Sequence, residues 1–207
     1  MNLKLFCLAL VMLPAVLHAQ PTEDSTEKSW TGFIETDYYF VPVDEIHPTV
    51  IASVDHKSLH LEARYNYEDF NTGSLHVGYT WEKDGDFSLT ATPTAGIAAG
   101  LSSGVLPGFE CSADYSKLSF YSENEYMIAF GGKEDDFFYS WTQLSASVFK
   151  NVSAGVSAET LKLYKTKFDV QKGVYAEYAP GKFLFDVYYF NPFSSYNYVV
   201  ASVAFNF

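Results

Sequence analysis

The chain has 207 residues, 25 of them acidic and 13 basic, for a formal net charge of −12 at pH 7. That surplus excludes an electrostatic nucleic-acid binder, and no basic patch or phosphate-cradling glycine loop reverses it locally. Hydrophobic residues make up 48% and aromatics 18%, rich for a soluble acidic domain, and the length fits one domain.

Lys4, the apolar stretch Leu5 to Leu17 and the small residue Ala19 before Gln20 predict a secretory signal peptide over 1–19. The stretch is shorter than the ~20 residues a spanning helix needs. Its removal takes away Lys4, the only charge in 1–19, so −12 becomes −13. Cys7 goes too, which leaves Cys111 without a partner for an intramolecular disulfide. Residues 20–29, QPTEDSTEKS, are polar without an apolar period and read as a flexible leader.

From Trp30 onward the pattern has a period of two and no convincing helix. In 58–68, Leu59, Leu61, Ala63, Tyr65 and Tyr67 face one way, and Ser58, His60, Glu62, Arg64, Asn66 and Glu68 the other. Residues 74–82 repeat this, with Leu75, Val77, Tyr79 and Trp81 against Ser74, His76, Gly78, Thr80 and Glu82. Only a strand separates two such sets cleanly. Tight turns are predicted at 55–57, 83–86, 115–116, 150–151 and 180–181, and longer connections near 42–48, 69–73, 100–104, 128–136, 162–167 and 191–195. The result is about twelve strands: 30–41, 49–54, 58–68, 74–83, 86–99, 105–114, 117–127, 137–149, 151–161, 168–179, 182–190 and 196–207. Pro93 and Pro107 should interrupt the ladder where they fall. The small-residue run TAGIAAGLSSG is read mainly as a flexible loop.

The closing segment YVVASVAFNF places Val199, Ala201, Val203, Phe205 and Phe207 on one face. With the signal peptide and the twofold alternation, it resembles the terminal strand of bacterial outer-membrane β-barrel proteins. LHLEARYNYEDFNTGSLHVGYTWE is similar to segments of small uncharacterised members of that group, with no activity attached. The resemblance implies an all-β fold, a closed antiparallel up-and-down transmembrane barrel over 30–207. It further implies a periplasmic leader, a home among outer-membrane lipids, and recognition of the strand ending in Phe207 by the barrel-assembly machinery. Alternating tight turns and longer loops, with an even strand number, agree and put both termini in the periplasm. Closure also answers the need to pair every backbone group in lipid. A soluble sandwich or lipocalin-like barrel is the rival fold, and it would turn its apolar face inward.

If apolar residues meet lipid, the lumen receives Glu35, Asp37, His60, Glu62, Arg64, His76, Glu82, Glu110, Glu123, Glu125, Glu159, Glu177 and Asp186. Arg64 is the only arginine of the chain. Either these groups pair in a filled interior, or water fills it and the acidic wall concentrates cations. Acids outnumber bases several-fold, so complete pairing is impossible and unpaired carboxylates need water. The predicted function is a narrow passive pore for small cationic or neutral solutes. A non-conducting scaffold with a plugged lumen is the first alternative, and a lipid-modifying enzyme or protease the second. His60 and His76 are the candidate bases for catalysis, yet neither stands in a hydrolase motif, and His47 beside Asp44 and Glu45 lacks matching acids. No Cys/His metal cluster is present in the spacing, and no cofactor is expected. Loop acids Asp44, Glu45, Glu68, Asp69, Glu134, Asp135 and Asp136 read as a solvated face.

Overall fold

A computed structural model describes residues 29–41 and 47–207. The signal peptide, the leader up to residue 28, and Asp44 and Glu45 lie outside the described residues. In chain order the strands are β1 (Thr31–Phe40), β2 (Pro48–His56), β3 (Leu59–Tyr65), β4 (Gly73–Tyr79), β5 (Trp81–Lys83), β6 (Phe87–Ala99) and β7 (Gly104–Tyr115). β8 (Leu118–Ala129), β9 (Phe137–Phe149), β10 (Val152–Leu163), β11 (Asp169–Tyr178), β12 (Phe183–Phe190) and β13 (Tyr198–Asn206) complete the set. A 3-10 turn, Lys133–Asp135, interrupts the β8–β9 loop. Among the described residues no helix is long and apolar enough to cross a membrane.

Apart from β4 and β5, which both pair with β6, consecutive strands pair antiparallel, and β1 pairs with β13 from Phe33↔Asn206 to Phe40↔Val199. Reciprocal backbone hydrogen bonds between Gly32 and Phe207, at 2.9 and 2.8 Å, extend that seam. With β4 paired to β6, twelve strands close a ring and leave no free edge. β5 pairs with β6 alone and lies outside the ring.

The extra strand has a local cause. β4 and β5 pair with β6 in one continuous register, Gly78↔Thr94 before the break and Trp81↔Ala91 after it. The break falls opposite Pro93, which has no N–H to give. Pro107 makes the matching gap between β7 and β8, where pairing passes from Val105↔Ile128 to Gly108↔Glu125. The predicted single strand over 74–83 is thus divided by its neighbour's proline. The run TAGIAAGLSSG also differs from a loop: Ala95 to Ala99 are strand, and Ala95 to Ala98 are paired on both sides. Its small residues answer a packing need, since a Cβ on Gly96 would sit 2.5 Å from His76 Nδ1.

Tight connections at 57–58, 84–86, 116–117, 150–151 and 179–182 share one end of the barrel with Thr31 and Phe207. In the last of them Gly181 has φ 70°, a left-handed conformation glycine adopts freely. Longer loops at 66–72, 130–136, 164–168 and 191–197 gather at the other end.

Polarity is inverted relative to a soluble fold. Leu75, Val77, Ile97 and Val187 are about half exposed or more on the outer wall, whereas Arg64, His76, Glu123 and Asp186 are buried within. Outward Trp81, Phe87, Tyr115, Tyr178 and Phe183 mark the turn end, and Tyr38, Phe40, Tyr65, Tyr126 and Tyr189 the loop end. These are two aromatic girdles flanking an apolar band. Lys172 also points outward near the loop end, where its stem can snorkel.

Candidate functional site

All thirteen strand acids share inward parity, because cross-strand partners always face the same side of a sheet. Glu35 and Asp37 on β1 pair with Ala204 and Ser202, Glu110 on β7 with Glu123 on β8, and Glu177 on β11 with Asp186 on β12. Glu62 and Arg64 on β3 follow His60 at two-residue steps, His76 pairs with Glu62, Glu125 with Gly108, and Glu159 with Trp141. The predicted residues Glu35, Asp37, His60, Glu62, Arg64, His76, Glu110, Glu123, Glu125, Glu159, Glu177 and Asp186 therefore lie on one inner surface.

That surface has two unlike walls. On the first, Arg64 collects carboxylates: Nε lies 2.5 Å from Glu62 Oε1, Nη1 2.7 Å from Glu123 Oε1 and 3.4 Å from Glu125 Oε2, and Nη2 3.6 Å from Glu110 Oε1. Its Cζ stands 4.4 Å over the Tyr67 ring. Beside it, Ser74 donates to Glu68 at 2.5 Å, and His76 Nε2 lies 3.0 Å from Ser74 Oγ. Burial pushes the Glu68 carboxyl up, but the hydrogen bonds from His76 and Ser74, with Arg64 nearby, hold it below its usual range. With the Ser74 proton directed to Glu68, the Ser74–His76 contact lacks the arrangement of a nucleophile and its base.

The second wall carries acids alone. Asp37 and Asp186 flank Ser202 in one row, and Glu177 continues it. Glu35 sits one inward step from Asp37. None of these four makes an ion pair among the described residues, and Asp186 Oδ1 and Ser202 Oγ are buried without a hydrogen-bond partner. Both walls border a cavity of about 360 Å³ lined by Glu35, Asp37, Glu62, Glu110, Glu177 and Asp186. A second space of about 280 Å³ opens toward the loops, beside His47, Thr49 and Glu159. Tyr39, Tyr67 and Tyr139 border both, so a tyrosine layer separates them. Tyr67 and Tyr139 meet edge to face at 5.5 Å.

Sequence reasoning missed what else points inward. The premise that apolar residues face lipid fails at two inner clusters. One joins Tyr175, Tyr188, Phe190 and Val200, with Trp141, Tyr39 and Tyr198 packed against it. The other joins Ala98, Leu106, Met127 and Phe137 near the loop end. Stacked rings fill the space between β9 and β13: Tyr175 on Tyr188 at 5.0 Å and Phe190 on Tyr198 at 4.9 Å. Glu159 accepts a hydrogen bond from Tyr198 at the margin of this cluster. Asp55, read as a turn residue, lies in β2 and faces inward to bond His60. The signal for it was its two-residue spacing from Ser53 and Ile51 on the same face.

No protein-family model matches the chain, and none of the curated proteins does. Solved structures do match. The KdgM porin aligns with a TM-score of 0.61 and 14% identity, covering 84% of this chain and 99% of its own. KdgM in complex with disordered oligogalacturonate gives the same figures. The NanC porin aligns at 0.55 and 9% identity, covering 83% and 97%. These identities carry the fold alone. A closed ring of twelve strands, an outward apolar wall between aromatic girdles and likeness to porin barrels make this chain a bacterial outer-membrane β-barrel.

Proposed function

We propose that the protein is a narrow passive pore that favours small cationic or neutral solutes. The observation that carries this reading is the wall of Glu35, Asp37, Glu177 and Asp186, which faces the 360 Å³ cavity without a basic partner among the described residues. Fixed carboxylates around a confined path concentrate cations and repel anions. The oligogalacturonate bound by KdgM is a polyanion, and this acid surplus makes such a cargo unfavourable here. Single-channel recording in planar bilayers under a salt gradient tests the proposal. A small conductance with a cation-selective reversal potential is expected, and Asp37→Asn with Asp186→Asn should lower that selectivity. No conductance, or anion preference, overturns it.

One observation favours a second reading, a non-conducting barrel. Phe190 and Val200 are 0% and 1% exposed inside the lumen, and the tyrosine layer lies across the path. Liposomes carrying the protein should then fail to swell in small neutral sugars. Swelling supports the pore.

A further inference from the structure

We propose that His60, Glu62 and Glu110 form a divalent transition-metal site on the lumen wall, suited to Zn²⁺. His60 and Glu62 stand two residues apart on β3, and Glu110 reaches in from β7. His60 Nε2 lies 4.0 Å from Glu62 Oε2 and 4.0 Å from Glu110 Oε1. One ligand atom from each of the three falls within 4.8 Å of the others. Glycine permits this approach across two intervening strands: Gly78 pairs with His60, and a Cβ there would sit 2.9 Å from Thr92 Cγ2.

The imidazole is already oriented for a metal. His60 Nδ1 lies 2.8 Å from Asp55 Oδ1, which fixes the ring and directs the Nε2 lone pair at the two glutamates. A carboxylate behind a ligating histidine is the usual outer shell of such sites, where it also raises ligand basicity. The His60 side chain is only 9% exposed, yet Nε2 has no hydrogen-bond partner, and neither has Glu110 Oε1. Buried polar atoms left this way are costly. A single cation between them satisfies both.

Charge points the same way. With all four carboxyls ionised, Arg64 is one positive group among Glu62, Glu110, Glu123 and Glu125, a formal surplus of three negative charges (four minus one). A divalent ion lowers that to one. Arg64 engages Oε1 of Glu62, whereas His60 faces Oε2. Zn–N and Zn–O bonds of about 2.0–2.2 Å require the donors to close by roughly 0.5–1 Å, within reach of carboxylate rotation. One imidazole with two carboxylates suits Zn²⁺ better than Ca²⁺, which takes about 6–8 oxygens. All three residues border the 360 Å³ cavity, which supplies entry and room for a water ligand. The neighbouring group Glu68, His76 and Glu125 is a weaker candidate, because His76 Nε2 already meets Ser74 Oγ at 3.0 Å. The site does not depend on conduction.

The test uses untagged full-length mature protein, folded in detergent micelles, stripped with chelator and titrated with Zn²⁺ calorimetrically. One equivalent should bind. His60→Gln and Glu110→Gln should each weaken binding by at least about 10-fold, and Asp55→Asn by roughly 10–100-fold through the outer shell. Cys111→Ser, on the outward face, should change nothing. Heat-modifiable gel mobility confirms folding of each variant. If a variant fails to fold, Zn K-edge absorption of the wild-type complex decides instead: one imidazole with oxygen ligands is expected. No stoichiometric binding, affinity indifferent to His60 and Glu110, loss of binding in Cys111→Ser, or a sulfur-ligated ion overturns the site.

Discussion

Replacing Arg64 by Met removes the one guanidinium of the lumen while keeping most of its apolar stem. The side chain is 2% exposed and touches four carboxylates, the nearest at 2.5 and 2.7 Å. At an effective dielectric constant of about 20, a unit pair 2.7 Å apart is worth roughly 6 kcal/mol before desolvation is charged against it. Leaving buried partners uncompensated costs about 3–5 kcal/mol in practice, because the carboxylates relax toward water or take up protons. Loss of the contact with the Tyr67 ring adds roughly 0.5–1 kcal/mol. We therefore expect Arg64→Met to lose about 4 kcal/mol. Urea unfolding in lipid vesicles, followed by tryptophan fluorescence, reads this directly: with a slope of roughly 2–3 kcal/mol per M, the midpoint falls by about 1.5 M. Combining Arg64→Met with Glu123→Gln should recover at least about 1 kcal/mol, as touching groups are non-additive. A loss below about 1 kcal/mol, or strict additivity with Glu123→Gln, would falsify the view that this pair network braces the barrel.

Three further perturbations probe other parts of the fold. Gly155→Ala drives a Cβ into the Leu144 carbonyl oxygen and places it 2.7 Å from Ser145 Cα, both backbone. β9 and β10 must then part, at a cost of about 1–3 kcal/mol in the same unfolding assay, and a neutral result refutes the close approach. Pro93→Thr restores an N–H opposite the break between β4 and β5; amides over 79–83 should gain hydrogen-exchange protection, and unchanged exchange means the proline is not the cause. Tyr139→Ala opens the layer between the two luminal spaces and should raise single-channel conductance by roughly twofold or more; an unaltered conductance places the constriction elsewhere.

How much of this was legible in sequence follows from what a period of two can and cannot encode. In β3 and β4 it separates Leu59, Leu61, Leu75 and Val77 from His60, Glu62, Arg64 and His76, so both walls can be read directly. Parity says nothing about which strands meet across the lumen. Arg64 reaches Glu125 across 61 residues, and only ring closure and register bring them together. Glu110 joins His60 and Glu62 for the same reason, so the metal-ligand set has no spacing to announce it. The inner aromatic cluster was hidden differently. β9, FFYSWTQLSASVF, and β12, FLFDVYYF, carry large apolar residues on both faces, which erases the contrast that alternation depends on. Trp141, Tyr188 and Phe190 therefore pass for lipid-facing residues until their partners are known. Asp186 alone, a carboxylate in an apolar strand, marks the inner parity of β12.

On the proposed pore reading, the two walls also separate selectivity from width. Arg64, His60 and His76 all stand on β3 and β4, while Asp37, Asp186 and Glu177 stand on β1, β12 and β11 with no ion pair to a base among the described residues. On that reading, a permeating cation meets carboxylates without a basic partner among the described residues at the second wall and carboxylates shared with Arg64 at the first, while an anion is repelled from both. Under that proposal, charge preference belongs to the acid wall and the size limit to Tyr39, Tyr67 and Tyr139. Asp37→Asn with Asp186→Asn should shift the reversal potential while leaving the largest permeant sugar unchanged, and Tyr139→Ala should do the converse. Movement of both properties together in either variant means that one constriction sets charge and width alike, and the division of the lumen into two functional layers is wrong.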